Sequence, residues 1–346
     1  MEPEFSRQRL TLARKRFGWS SAALARESGL STRTLSNYEN GHALPSDDAL
    51  TVLSHVLRVT REFFFLPESE EVPVEAVSFR ALSKMTAKQR DSALAVGSQI
   101  VEFDTWLSAQ FRFPQPNVPT LPGYAPEVAA ATVRAKWGLG ERPIQNMVHL
   151  LEANGVRVYS LPSHLSDLDA FSFYREEDPF VLMSTRKSAE RSRFDAAHEL
   201  GHLVLHCEHE SPRGPEAETE ANRFAAAFLM PRAAVQAAGL VNATLPMILH
   251  AKLRWGVAAM ALTHRLKELD MLTEWGYRDL CVQLSRQGFR RSEPGGIPRE
   301  QSERLRQALA LLRQEGASTS ALATLLGIRA SEFRSWLNGI TLQMVY

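Results

Sequence analysis

Residues 196–206 read Ala-Ala-His-Glu-Leu-Gly-His-Leu-Val-Leu-His, and no other segment limits the chain as strongly. His198-Glu199-x-x-His202 sits in an apolar run (Phe194, Ala196, Ala197, Leu200, Leu203, Val204, Leu205) that predicts a buried helix. At 3.6 residues per turn, positions four apart share a face, so both imidazoles can address one cation. Neutral imidazoles suit zinc, and zinc in an open site lowers the pKa of water to roughly 7. Glu199, one position along, can touch such a water without being a ligand. A buried His or Glu requires a partner, which argues against an accidental motif. Gly201 removes a side chain beside the expected metal face, although glycine costs about 1 kcal/mol against alanine in a helix interior.

The third ligand is sought in Glu216–Ala225, which offers Glu216, Glu218 and Glu220. The metzincin pattern would place Gly at 205 and His at 208, where this chain has Leu205 and Glu208. A glutamate from a second helix, giving a His2Glu site, is the remaining common arrangement. Glu218 is favoured, because Asn222 follows four residues later on the same face and can hydrogen-bond a ligand histidine, fixing its tautomer. Glu220 comes next, and Glu216 reads as a solvated residue near the helix start. His206 extends the row of His198 and His202. It is read as closing the helix or bonding backbone, while spacing gives Cys207 and His209 no role.

Residues 6–66 form a second informative block, with helical periodicity at 7–17, 22–27, 32–40 and 47–57. Gly29-Leu30-Ser31 predicts a tight turn, with Ser31 capping the next helix. A short helix, a glycine turn and a capped helix make the helix-turn-helix signature, in which the second helix enters the DNA major groove. The expected DNA contacts are Ser31, Thr32, Arg33, Ser36 and Asn37. Arg33 suits guanine, Asn37 suits adenine, and Thr32 suits a phosphate or a thymine methyl. Between Arg7 and Arg33 stand seven basic residues (Arg7, Arg9, Arg14, Lys15, Arg16, Arg26, Arg33) against the single acid Glu27. That surface is expected to attract a phosphate backbone.

Longer stretches carry family resemblances. The zinc motif is joined by Ala170-Phe171-Ser172, the apolar strand Phe180–Met183, Arg193-Phe194, and Glu218-x-x-Ala221-Asn222-x-Phe224-Ala225-Ala226-x-Phe228-Leu229-Met230-Pro231. With Trp255-Gly256-Val257, Arg265-Leu266 and Gly288-Phe289-Arg290, residues 125–290 resemble the ImmA/IrrE-type metallopeptidases. The resemblance implies His198, His202 and Glu218 as zinc ligands and Glu199 as general base and acid. Phe228 departs from the bulky aliphatic residue usual there. Leu24-Ala25-x-x-Ser28-Gly29-Leu30-Ser31 and Leu35-Ser36-x-Tyr38-Glu39-Asn40-Gly41, followed by Pro45, resemble the Cro/repressor-type (XRE) helix-turn-helix family. Here Ser21 or Ala22 replaces the glutamine common at the start of that family's second helix, so specificity transfers less well than fold.

The expected fold is α+β and mostly helical. A five-helix helix-turn-helix domain spans 5–66, and a linker with a long connecting helix (86–112) spans 67–124. A zincin-like metallopeptidase core with a small sheet spans 125–240. A C-terminal helical region spans 241–346. The sheet is expected from strands at 156–161, 171–174 and 180–184, with an edge that can hold an extended peptide by main-chain hydrogen bonds. Residues 318–333 repeat the helix–glycine–helix order. Few basic residues lie on their second helix, so a compact partner-binding or dimerising bundle is expected there ahead of a second DNA-binding unit.

Composition sets the remaining bounds. The 346 residues allow two or three domains, and a net charge of +1 means that DNA affinity must come from local asymmetry. The start lacks a signal-peptide pattern, no apolar run is long enough to span a membrane, and only two cysteines are present. The expected setting is therefore the cytoplasm, without a disulfide framework. Together these features imply a DNA-binding regulatory zinc metallopeptidase acting on a protein substrate, by resemblance a Cro/repressor-type repressor. Its partners would be double-stranded DNA and that substrate, with no membrane, and a palindromic operator would call for a homodimer. The rival expectation is a transcription factor whose metallopeptidase-like domain senses a ligand or metal without proteolysis.

Overall fold

The computed structural model describes residues 4–73, 77–78, 86–165, 168–206, 214–290 and 292–341. Four short helices open the chain: α1 (Arg7–Arg16), α2 (Ser21–Ser28), α3 (Thr32–Glu39) and α4 (Asp47–Val56). Each begins after a serine, and the hydroxyls of Ser6, Ser20, Ser31 and Ser46 accept the backbone N–H three residues on. Gly29, at φ 73°, ends α2 in the left-handed region, which tightens the turn into α3. The expected fifth helix is a single 3-10 turn at Glu62–Phe65. Glu39 ties the unit together. It accepts from Arg14 Nε at 2.6 Å and Nη2 at 3.1 Å, and from Ser21 Oγ at 3.3 Å.

The N-terminal arginines revise the charge argument. Arg9 and Arg16 are buried. Arg9 donates to Glu102 at 2.9 Å and to the Pro67 carbonyl, and Arg16 donates to the Leu57 carbonyl at 2.6 Å and to Gln99 at 3.4 Å. With Arg14 held by Glu39, three of the seven cations are spent on acceptors within the chain, two of them reaching the long helix α5 (Ala87–Gln110) through Glu102 and Gln99. The count of basic residues therefore overstates the charge left for a phosphate backbone.

Helix α5 starts in a Thr86/Gln89 capping box and packs against a small sheet. Strands β1 (Val77–Ser78), β2 (Arg157–Ser160), β3 (Ala170–Arg175) and β4 (Asp178–Met183) lie in the order β1-β3-β4-β2. The pairs β1/β3 and β3/β4 are antiparallel, and β2/β4 is parallel with Arg157 opposite Phe180. The three expected strands are all present; β1, at two residues, is too short to show a period. Phe171, Phe173 and Phe180 stack along the face toward α5, where the Phe173 ring lies over Gly97. Ser172, pointing the other way as alternate strand residues do, faces α8 (Ala189–Leu205). The sheet is thus sandwiched between the long connecting helix and the helix carrying His198 and His202.

Helices α6 (Pro126–Lys136), α7 (Met147–Ala153), α9 (Pro215–Leu229) and α10 (Arg232–Gln236) complete the core around α8. Gly201 has a different reason from the one expected. A Cβ there would lie 3.0 Å from the Phe224 ring, so the glycine permits the close approach of α8 and α9. Phe228, the departure from the aliphatic pattern, stacks on Phe224 and meets Trp137 edge-on. Helices α11 (Leu245–Trp255), α12 (Ala259–Glu268) and α13 (Glu274–Arg286) follow as the expected helical segment.

The tail, α14 (Glu303–Gln314), α15 (Thr319–Leu325) and α16 (Ala330–Leu337), folds back onto the chain itself. Val59 and Ile328 form a β-bridge, Thr60 N–H donates to the Gly327 carbonyl at 2.8 Å, and Phe333 meets Phe103 edge-on. The apolar face of α16 (Phe333, Trp336, Leu337) is buried within this one chain. That face is therefore covered from within the chain.

Candidate functional site

Helix α8 carries the motif with His198, Glu199 and His202 all buried. Helix α9, brought close by Gly201, places Glu218 opposite. His198 Nε2 and His202 Nε2 lie 3.0 Å apart, and Glu218 Oε1 and Oε2 lie 3.2 Å from His202 Nε2 and 3.8 Å from His198 Nε2. One ligand atom from each of the three residues falls within 4.8 Å of the others, an arrangement able to hold a metal ion. Glu216 is exposed, as expected of a solvated residue. Cys207, Glu208 and His209 lie outside the described residues.

The hydrogen bonds behind the histidines fix which nitrogen faces the centre. His198 Nδ1 donates to Asn222 Oδ1 at 3.0 Å, leaving the Nε2 lone pair for a ligand, the tautomer-fixing contact expected from the spacing of Glu218 and Asn222. His202 Nδ1 meets His206 Nδ1 at 2.9 Å, and His206 Nε2 meets Glu220 Oε2 at 2.8 Å. A carboxylate only accepts, so His206 carries its proton on Nε2 and accepts through Nδ1 from His202. His202 is then also left with a lone pair at Nε2. Burial lowers the His206 pKa against the pull of Glu220, which favours this neutral ring.

His206 does close α8, as expected, but its ring bonds side chains rather than backbone. Glu220, the second-choice ligand, reaches His202 through His206 instead of joining the cluster. The sequence signal was present in the unbroken i, i+4 row of histidines.

Glu199 is oriented from the sheet: the Ser172 hydroxyl donates to its Oε2 at 2.7 Å. Spacing gave no hint of this contact. Tyr174 donates to the Leu203 carbonyl at 3.2 Å. The other two side chains able by type to donate to a reacting oxygen from this part of the chain lie elsewhere: His149 is exposed on α7, and His164 bonds the Arg16 carbonyl. Next to Ser172, the edge of β3 is also less open than expected, because Val77 and Ser78 pair with Phe173 and Ser172.

At the other end, α3 is anchored by buried Leu35 and Tyr38, while Ser31, Thr32, Arg33 and Ser36 are exposed and Asn37 is half-buried. Ser31 uses its hydroxyl as the helix cap at 3.0 Å from Thr34 N, which leaves Thr32, Arg33 and Ser36 as the outward row.

Comparison with protein families gives the same two-part division. No curated protein matches the chain. Residues 10–64 match the helix-turn-helix family, and residues 151–267, from α7 through most of α12, match the peptidase family described as the IrrE N-terminal-like domain. The two matched segments stand in the order the motifs imply, a helix-turn-helix segment ahead of one similar to the IrrE N-terminal-like peptidase domain.

Proposed function

We propose that this protein is a DNA-binding regulatory zinc metallopeptidase that cleaves a Cro/repressor-type transcriptional repressor. One observation carries the reading: two α8 imidazoles and an α9 carboxylate converge, on the helix that also carries the buried Glu199. The donor set fits zinc, since two neutral imidazoles and one carboxylate are the His2Glu complement. Tetrahedral ligands at ~2.1 Å from one centre lie about 3.4 Å apart; here the two Nε2 atoms are 3.0 Å apart, and Glu218 comes to 3.2 Å of His202 Nε2 through Oε1 and to 3.8 Å of His198 Nε2 through Oε2. When bound, zinc supplies a Lewis acid that acidifies water and polarises the scissile carbonyl.

His198, His202 and Glu218 would hold the ion, with Asn222 and the His206–Glu220 pair keeping the imidazoles in the ligating tautomer. Glu199 accepts a proton on its carboxylate and passes it to the leaving amine, serving as base and then acid. Ser172 holds that carboxylate in place through Oε2. The helix-turn-helix brings the enzyme to an operator through Thr32, Arg33, Ser36 and Asn37, and a palindromic operator would engage two copies. This role belongs in the cytoplasm. No helix among the described residues is long and apolar enough to cross a membrane.

The test is cleavage of a Cro/repressor-type repressor by zinc-loaded wild type and by Glu199→Gln. Specific cleavage by the wild type, lost in a variant that retains zinc, is expected. Cleavage that persists in the variant would contradict the role of Glu199. No cleavage by either, with regulation intact in the variant, would favour the sensor reading.

A further inference from the structure

The tail restates α2 and α3 in register, without a gap. Ala23-Leu24-Ala25 recurs as Ala321-Leu322-Ala323, Gly29 as Gly327, and Asn40-Gly41 as Asn338-Gly339. Ser20 and Ser318 cap the first helix of each pair, accepting the N–H three residues on at 3.2 and 3.0 Å. Gly29 and Gly327 turn the chain at φ 73° and 63°, and Gly41 and Gly339 follow the second helices at φ 76° and 74°. In this register α16 occupies the same places as α3. Leu24, Leu35 and Tyr38 are buried, and so are Leu322, Phe333 and Trp336 in their places. Helices α15 and α16 therefore make a second helix-turn-helix.

A shared motif does not choose a ligand; the outward row does. Ser31, Arg33 and Ser36, exposed on α3, are replaced on α16 by Arg329, Ser331 and Arg334, which are exposed as well. One arginine stands in the first row and two in the second. Arg329 is spent, because its Nη2 donates to the His55 carbonyl at 3.0 Å and holds the second unit's turn against the end of α4. Arg334 donates to the Ala330 carbonyl of its own helix at 3.2 Å and meets no acid among the described residues. Helix α15 carries no charge, and Glu332, the one acid of α16, is buried. A protein partner would call for apolar anchors on this row, but Phe333, Trp336 and Leu337 point inward. A hydroxyl and a free guanidinium one turn apart, with no acid beside them, suit a nucleic-acid duplex.

We propose that α15 and α16 form a second DNA-binding unit, which contacts double-stranded DNA through Ser331 and Arg334. It is no two-fold mate of the first, since the units join through unlike parts: Val59 bridges Ile328, and Gly327 packs on Phe63. One chain thus carries two unlike DNA contacts. The assignment takes its ligand class from the helix-turn-helix reading of α3, and the test separates the two.

Fluorescence anisotropy of the full chain with a fluorescein-labelled duplex about three helical turns long, over a salt series, is the test. Arg334→Glu and Ser331→Glu each alter an exposed side chain, and a glutamate at 331 suits the first turn of α16, so both should melt with the wild type. Each is expected to weaken duplex binding by about tenfold, and Arg334→Glu to make the salt slope shallower by about one. Arg278→Glu, which reverses an exposed charge on α13, should change neither. Wild-type affinity and slope in both α16 variants, with Arg33→Glu weakened, would overturn this assignment and leave that of α3 standing. Loss in the α16 variants with Arg33→Glu unaffected would uphold it and overturn that of α3. No binding of the duplex by the wild type, or an equal loss in Arg278→Glu, would also overturn it.

Discussion

Helices α8 and α3 both arrange candidate functional residues at helical spacing, yet they are held in opposite ways. On α8 every motif residue is buried and met by the protein itself: His198 by Asn222, His202 by His206, Glu199 by Ser172. On α3 only Leu35 and Tyr38 face inward, and Thr32, Arg33 and Ser36 project into solvent. The first arrangement orients polar groups before any ligand arrives, as a metal centre demands. The second leaves its outward row exposed, as the proposed DNA contact requires. The basic residues divide the same way, since Arg9, Arg14 and Arg16 point inward to fixed acceptors while Arg26 and Arg33 point outward.

Four substitutions break or sharpen this contrast, from the largest effect to the smallest. Glu199→Gln should lower single-turnover cleavage by about 10²–10⁴-fold, the usual contribution of a general base, with zinc content unchanged by mass spectrometry. Arg14→Ala strands the partly buried Glu39 that ties α1 to α3. It should lower stability by about 2–3 kcal/mol, read as an earlier transition of the N-terminal unit in calorimetry. Asn222→Ala should weaken zinc by roughly 10–100-fold in a chelator competition, because the His198 ring loses its orienting acceptor. Arg33→Ala should weaken specific operator binding by about 1–3 kcal/mol without moving Tm, since its side chain is exposed. An Arg33 variant that melts early, or an Arg14 variant that loses only DNA affinity, would reverse the division between inward and outward arginines.

Much of both sites could be read in advance because it repeats at helical spacing. The His198/His202 pair, Glu218 with Asn222, and the outward row on α3 follow from residues three or four apart. What escaped depends on contacts between distant elements. Ser172 meets Glu199 across 27 residues, which requires knowing which face of β3 turns toward α8. Arg9 finds Glu102 across 93 residues, so its burial could not be told from an exposed cation by local charge alone. Gly201 looked like room for a metal, and only the packing of Phe224 gives its reason. The tail repeated a helix-turn-helix pattern whose apolar face proved to be buried against its own chain.

The most direct test of the central claim is the metal content and X-ray absorption first shell of the purified wild type and of Glu218→Ala. The account predicts about one zinc per wild-type chain in a nitrogen and oxygen shell at ~2.0–2.1 Å, and loss of most of that metal from the variant. A Glu218→Ala protein that keeps a full complement of zinc in an unchanged shell would contradict it.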